Sequence, residues 1–114
     1  MKLNEINGSA FYERLSSLYG AEAESQQKTC MKLAEWYYTQ FGESDLRFFS
    51  APGRTEVCGN HTDHNNGKVL AAAINLDAVA AVSKRDDNFI EVFSEGHSPL
   101  KVDITDLLPR DDEA

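Results

Sequence analysis

A run of polar residues punctuated by glycines lies near the middle of the chain and constrains the fold more than any other stretch. Residues 51–70 read A-P-G-R-T-E-V-C-G-N-H-T-D-H-N-N-G-K-V-L. Side chains this polar cannot form a core, whereas glycines at such short intervals permit positive φ angles and a close approach of the backbone to a ligand. We therefore predict that residues 51–70 form the functional loop, and that the rest of the chain presents it.

Length and charge limit what that loop can belong to. The chain has 114 residues, enough for one small domain or part of one. Its 41% hydrophobic and 26% charged residues are ordinary for a soluble globular protein. Nineteen acidic residues against eleven basic ones give a formal charge of -8. Because an acidic surface repels phosphate backbones and the sequence shows no basic patch, nucleic acid is excluded as a partner.

No membrane partner or disulfide framework is expected either. The sequence contains no run approaching the ~20 apolar residues that span a bilayer and no basic N-terminal region followed by an apolar segment, so a cytoplasmic location is predicted. The two cysteines, Cys30 and Cys58, do not form a C-x-x-C pair. Both are expected to be buried free thiols.

Helices are predicted for the first part of the chain, residues 1–45. Ser9 can cap a helix over residues 10–19 that stops at Gly20, and a polar connection over 21–25 follows. The next helix ends at Gly42, and its apolar residues recur at helical spacing: Cys30, Leu33, Ala34, Tyr37, Tyr38 and Phe41. With Trp36 beside them, these aromatic residues could resemble a base-stacking platform, but helical spacing is typical of core packing.

A β-rich region is predicted over residues 46–106, followed by an acidic, frayed tail over 107–114. Its expected elements are strands 46–50 and 55–58 around a turn at 51–53, strands 69–74 and 79–83, a turn at 86–88, and a hairpin of strands 89–93 and 100–104. The alanines keep a helix over 71–81 open as an alternative. The predicted class is α+β: two N-terminal helices, then a mostly antiparallel or mixed sheet of about five strands. Because no helices follow to cover that sheet, we expect the chain to be the front portion of a larger protein.

The central run resembles a known family signature. Residues 51–64, A-P-G-R-T-E-V-C-G-N-H-T-D-H, are similar to the sugar-binding signature of galactokinases, approximately A-P-G-R-[VI]-N-[LI]-I-G-E-H-[TI]-D-Y. The family continues with an N-[DG]-G turn and a V-L-P-x-A-I strand, and this chain continues with N-N-G and V-L-A-A-A-I. The resemblance is long, covering about residues 46–85, with the helices as a lead-in. It implies the N-terminal part of a kinase of the GHMP superfamily, with a fold of the ribosomal protein S5 domain 2 type.

The resemblance also implies an activity and a set of site residues. The full-length protein would transfer the γ-phosphoryl group of ATP, with Mg²⁺, to a galactose-like hexose. His61 and Asp63 would hydrogen-bond sugar hydroxyls, Asn60 would contact the sugar beside them, and Arg54 would act catalytically between the sugar and the transferred group. Carboxylate and imidazole acceptors suit hydroxyls, and a guanidinium stabilises charge that develops during transfer.

Departures from the signature bear on substrate and activity. The family's glutamate before the histidine is Asn60, its asparagine two places after the arginine is Glu56, and its last tyrosine is His64. The chain also lacks G-x-x-x-x-G-K-[ST], G-x-G-x-x-G and any segment like the family's downstream phosphate loop. The isolated chain is therefore expected to bind no cofactor and to be inactive. Because its sheet would be exposed, the isolated chain is also expected to self-associate.

Other interpretations of the same residues remain open. Residues 60–66 would also suit a plain surface turn, and Arg54 an ordinary surface ion pair. His61, Asp63 and His64, with His97, could hold zinc, although their spacing matches no established zinc motif. A non-catalytic sugar sensor on the same fold is the main functional alternative.

Overall fold

The computed structural model describes residues 1–59 and 67–108. Helices come first and strands follow, in two compact units, Met1–Ser83 and Lys84–Ala114. The predicted α+β class is confirmed, and this order of elements is consistent with the N-terminal portion of a GHMP kinase.

Three α-helices make up the first part of the chain: α1, Leu3–Ile6; α2, Ser9–Tyr19; and α3, Ala23–Phe41. The predicted stops are confirmed, since Gly20 and Gly42 end α2 and α3 with φ angles of 55° and 78° that favour glycine. The predicted cap is wrong, because Gly8 is the N-cap of α2 and Ser9 is already helical. The predicted connection over 21–25 is also wrong: a 3₁₀ turn at Gly20–Glu22 leads directly into α3.

A small core forms where α1 and α3 meet the start of the β region. Ile6, Ala34 and Leu46 are fully buried and Cys30 nearly so, with Tyr37, Tyr38 and Phe48 packed around them. Gln27 Nε2 also donates a hydrogen bond to the carbonyl oxygen of Ile6 at 2.8 Å, which ties α1 to α3. The predicted apolar stripe of α3 therefore does pack as core. Helix α1 escaped the sequence analysis because four residues are too few to show helical periodicity.

The first unit also contains a long two-stranded antiparallel ribbon, β1 (Arg47–Cys58) and β2 (Leu70–Val82). The predicted turn at 51–53 is wrong, because β1 continues through these residues as a strand. The pairing with β2 shifts register between Pro52 and Arg54, as it does at a bulge, where proline is tolerated although it cannot donate a ladder hydrogen bond. The helical alternative for 71–81 is wrong as well, since its alanines pair with β1 and tertiary pairing overrides their propensity.

The ribbon has two halves with different surroundings. In the root, which we define as residues 47–52 and 77–82, Phe48, Val79 and Ala81 pack against the core. The ring centroid of Phe48 lies 5.8 Å from the ring centroid of Phe11 in α2. In the arm, which we define as residues 54–58 and 70–76, every residue is exposed on both faces of the ribbon. The root is thus anchored on the helices, whereas the arm is not covered by any described residue.

The second unit contains the predicted hairpin, with β3 at Phe89–Val92 and β4 at Leu100–Asp103. Arg85 donates to Asp87 and Glu91, and Lys101 pairs with Glu91 at 3.1 Å while lying 4.3 Å above the Phe89 ring. The hairpin prediction is confirmed. The described residues contain four strands in two separate two-stranded sheets, rather than one sheet of about five strands, because the predicted pairs of short strands merge into β1 and β2.

Candidate functional site

Along the chain, the polar loop connects the end of β1 at Cys58 to the start of β2 at Leu70. Asn60, His61 and Asp63, together with His64, Asn65 and Asn66, lie outside the described residues. Of the four predicted site residues, the structure therefore places Arg54. The roles predicted for all four stay predictions.

The backbone on the two sides of the loop is held very close. Cys58 pairs with Leu70, and Gly59 has a φ angle of 90°. A Cβ atom added to Gly59 would lie 2.4 Å from the carbonyl oxygen of Lys68 and 2.8 Å from Cα of Val69, nearer than real Cβ contacts come. Only glycine fits both the conformation and the space. The backbone that precedes the loop, at Gly59, is therefore in close contact with the backbone that follows it, at Lys68 and Val69.

Arg54 lies on the arm and forms an ion pair. Its Nε and Nη2 atoms are both 3.3 Å from Oε1 of Glu56, two residues along β1. The Arg54 side chain is 75% exposed, so this pair contributes little to stability. Glu56 is one of the departures from the signature, and its carboxylate directs the guanidinium. The pair suits the surface interpretation of Arg54 as well as the catalytic one, since an exposed guanidinium that pairs with Glu56 remains open to a ligand.

A cluster of hydrogen bonds that the sequence analysis missed lies in the root, where β2 passes the helices. The Asp77 carboxylate accepts hydrogen bonds from Tyr19 Oη at 2.7 Å, Ser50 Oγ at 2.5 Å and Gln26 Nε2 at 3.4 Å. The bond from Ser50, then that from Tyr19, lowers the pKa of Asp77. One signal for it existed in the sequence: Asp77 is the only charged residue in the run L-A-A-A-I-N-L-D-A-V-A-A-V.

An open cavity of about 470 Å³ lies in the first unit between α2 and the beginning of β1. Its walls are mostly apolar and include Phe11, Leu15, Leu18, Phe49 and Val79. Arg54 does not line it, so this cavity is distinct from the arm that carries the signature.

The two thiols differ in their surroundings. Cys30 is buried, as predicted, and burial followed by the nearby negative charge of Asp77 raises its pKa. Cys58 is exposed, so the prediction that it is buried is wrong: it lies on the arm, where no described residue covers β1. Residues 1–59 and 67–108 contain no group of three or more His, Cys, Asp or Glu side chains arranged to hold a metal ion. Three of the four residues considered for zinc lie outside those ranges.

In the same described ranges, no helix is both long and apolar enough to cross a membrane.

Comparison with known proteins identifies the signature. The family model described as the galactokinase galactose-binding signature matches residues 35–84, which include the end of α3 from residue 35 and the whole ribbon. The chain therefore carries the galactose-binding signature of galactokinases. The match begins earlier than the resemblance over 46–85 predicted from the sequence, so the signature includes helical residues that we had considered only a lead-in.

Individual relatives agree. The chain is 45% identical over 56 residues to a galactokinase of Bacillus subtilis, an alignment covering 48% of this chain and 14% of that protein. It is 34% identical over 104 residues to a galactokinase of Streptomyces coelicolor, covering 90% of this chain and 21% of the relative. A galactokinase of Streptococcus suis is 40% identical over 77 residues, 67% of this chain and 20% of the relative. The predicted resemblance to galactokinases is confirmed.

The chain spans about a fifth or less of the length of these relatives, from 14% to 21%. No solved structure matches the chain.

Proposed function

We propose that this chain is the N-terminal segment of a galactokinase-type sugar kinase. The observation that carries the proposal is the signature match over residues 35–84, which coincides with the structural unit that presents the loop: the end of α3, the root and the arm. A plain surface turn would need the glycines and asparagines of the loop but not a match extending along both strands.

In the proposed reaction, the full-length protein transfers the γ-phosphoryl group of MgATP to a hydroxyl of a galactose-like hexose. The hydroxyl oxygen forms a bond to the γ-phosphorus, the bond from that phosphorus to the bridging oxygen breaks, ADP leaves, and the hydroxyl proton passes to a base. His61, Asp63 and Asn60 would hold the sugar. Arg54 would stabilise charge on the transferred group, and its exposed guanidinium supports that role.

The groups that hold ATP and Mg²⁺ would lie in the rest of the protein, because the 114 residues contain no nucleotide-binding glycine motif. The isolated chain would accordingly be inactive and bind no cofactor. The full-length enzyme would be cytoplasmic, because its phosphoryl donor would be ATP.

Self-association of the isolated chain is also part of the proposal. Large apolar side chains of the arm are exposed, among them Val57 at 64%, Leu70 at 58% and Leu76 at 70%. An open ribbon with apolar side chains and unpaired edges favours pairing with another chain. Light scattering on the purified chain at increasing concentration would show a rising mass, whereas a constant monomer mass at every concentration would contradict this.

The test of the kinase proposal measures phosphorylation by the full-length protein. With ATP, magnesium and a panel of hexoses, we expect ADP release with galactose or a close analogue. Asp63→Ala should lower kcat/KM for that sugar roughly 10- to 150-fold. This factor corresponds to the loss of one charge-assisted hydrogen bond, which contributes about 1.5–3 kcal/mol. Asp86→Ala removes the same charge from an exposed position outside the signature and serves as the control.

The outcomes separate the alternatives. Galactose binding without ADP release would favour a sugar sensor. Stoichiometric zinc that is lost with His61→Ala would favour a metal site. Asn60→Glu, which restores the signature's carboxylate, should shift preference toward plain galactose, because an amide donates and accepts whereas a carboxylate only accepts. If galactose is already strongly preferred and Asn60→Glu changes nothing, the substitution is neutral.

A further inference from the structure

A single carboxylate joins three elements in the root. Tyr19 ends α2, Gln26 lies in the first turns of α3 and Ser50 lies on β1, and all three donate to Asp77 of β2. The two shorter bonds, from Tyr19 and Ser50, go to the same oxygen, Oδ2, and the longer one, from Gln26, goes to Oδ1. Both oxygens of the carboxylate are therefore used.

Asp77 also marks the place where the ribbon changes character. It pairs with Pro52, and the register shift begins with the next residue, Gly53. A Cβ atom on Gly53 would come within 3.1 Å of the Ile74 side chain and 3.2 Å of the carbonyl oxygen of Leu76, so the strands approach closely there. Arg54 is the first residue beyond this point. A change in the angle at which the arm leaves the root would displace Arg54 together with the rest of the arm.

Packing alone does not hold this junction. The residues beyond it are exposed on both faces, and the only charged side chain of β2 lies at the junction itself. A carboxylate in a mostly apolar strand is unfavourable unless its oxygens are satisfied, and here neutral donors from both helices and from β1 satisfy them. Such a charge-assisted bond is stronger and more directional than a neutral one.

We propose that Asp77 is a positioning residue for the sugar site, which fixes the direction in which the arm leaves the helices and hence the position of Arg54. This inference rests on the proposed sugar-kinase function. The hydrogen-bond donors of Asp77 are Tyr19, Gln26 and Ser50, and none of them is a predicted site residue, so Asp77 acts through the root rather than on the substrate.

The chemistry of two substitutions separates positioning from other roles. In Asp77→Asn, the side-chain carbonyl can take the place of Oδ2 and keep the bonds from Tyr19 and Ser50, and the new amide can donate to Gln26 once the Gln26 amide turns over. Asp77→Ala removes all three bonds. Asparagine should therefore restore most of what alanine loses, whereas a role that needs the negative charge would be lost in both variants.

The experiment compares wild type, Asp77→Ala, Asp77→Asn and the control Asp86→Ala in the full-length protein, well below the unfolding temperature. In Asp77→Ala we expect the KM for galactose to rise roughly tenfold, as for loss of about one net hydrogen bond, with the KM for ATP unchanged. Amide hydrogen exchange of peptides from residues 51–58 and 70–76 should become faster. Asp77→Asn should lie close to wild type in both measurements, and Asp86→Ala should match wild type.

Each result decides the proposal. Unchanged exchange of the arm peptides in Asp77→Ala overturns it, as does faster exchange with an unchanged KM for galactose. A KM for ATP that rises as much as that for galactose also contradicts it, because that is general destabilisation. Loss of activity in both Asp77 variants would assign a role to the charge instead. If wild type neither binds nor phosphorylates galactose, the proposed function fails, while hydrogen exchange still shows whether Asp77 anchors the arm.

Discussion

The two halves of one ribbon share the same strands and differ in almost everything else. In the root, β1 and β2 lie on α2 and α3, Phe48 packs against Phe11, and the Asp77 carboxylate collects hydrogen bonds from both helices. In the arm, the same two strands are exposed on both faces. Strand pairing alone therefore does not tell which part of a ribbon supports stability.

The difference assigns separate tasks to the two halves. Apolar burial is the main favourable term in folding, and in the first unit it is concentrated at the root and the helices. The galactose-binding signature continues through the root into the arm, whose residues 54–58 and 70–76 are exposed, so burial contributes little there. A substitution of a root residue that packs on the core, such as Phe48 or Val79, should act on the free energy of unfolding, whereas one in the arm should act on ligand binding or association.

The largest expected effect is a loss of stability from a core truncation beside the root. Leu46 is fully buried, so Leu46→Ala should lower the free energy of unfolding by about 2–5 kcal/mol. Leu76 of the arm is 70% exposed, and Leu76→Ala should change it by less than about 0.5 kcal/mol. Urea denaturation of the chain and both variants measures this. Equal losses in the two variants would mean that the arm is packed as firmly as the root.

A smaller effect is expected where the arm meets the loop. Gly59→Ala combines an unfavourable φ angle of 90° with a Cβ only 2.4 Å from the Lys68 carbonyl oxygen. Gly96 also has a positive φ angle, 77°, but an added Cβ there meets no atom within 4 Å. Gly96→Ala should therefore lower the free energy of unfolding by about 1–2 kcal/mol, the cost of a positive φ angle in a residue other than glycine. Gly59→Ala should lower it by more, because the steric clash adds to that cost.

The readout for the glycine pair is local. Gly59→Ala should speed amide exchange in arm peptides and weaken galactose binding by the full-length protein, with little change in exchange of α3. Gly96→Ala should leave both measurements unchanged. If Gly59→Ala binds galactose normally, the close approach of the strands at the tip is not needed for the sugar site.

The sequence predicted the elements well where periodicity was long and local. The apolar spacing in α3 and the alternation in the second hairpin correspond to helices and strands in the structure. Composition-based turn rules failed at residues 51–53, because the paired strand β2 allowed proline and glycine to be absorbed as a bulge. The alanines of β2 likewise favoured a helix locally, and pairing with β1 decided otherwise.

For the candidate site, the sequence identified the signature but not the residues that hold it in place. The signature is a local pattern, so it could be recognised from residues 51–70. In the Asp77 cluster, Tyr19 lies 58 positions before Asp77 in the chain and Gln26 lies 51 positions before it. No local sequence pattern connects residues that far apart. The exposure of Cys58 likewise depends on what lies over the arm, which one-dimensional alternation does not specify.

The smallest expected effect is a pH dependence that belongs to the root. Hydrogen bonds from Ser50 and Tyr19 lower the pKa of Asp77 in the folded chain below the unfolded value of about 4. A carboxyl group with a lowered folded-state pKa contributes stability that is fully present above the unfolded pKa and disappears as the pH falls through the folded one.

Wild type should therefore be more stable than Asp77→Asn at pH 6, by less than about 1 kcal/mol because the group is partly solvated. The difference should shrink as the pH is lowered from about 5 to 3. Urea denaturation of both proteins across this range measures it, and Asp86→Asn, which removes one carboxylate from an exposed turn, provides the matched control. A difference that stays constant with pH would show that the Asp77 hydrogen bonds do not depend on its charge, which would leave geometry as the whole contribution of the root to holding the arm.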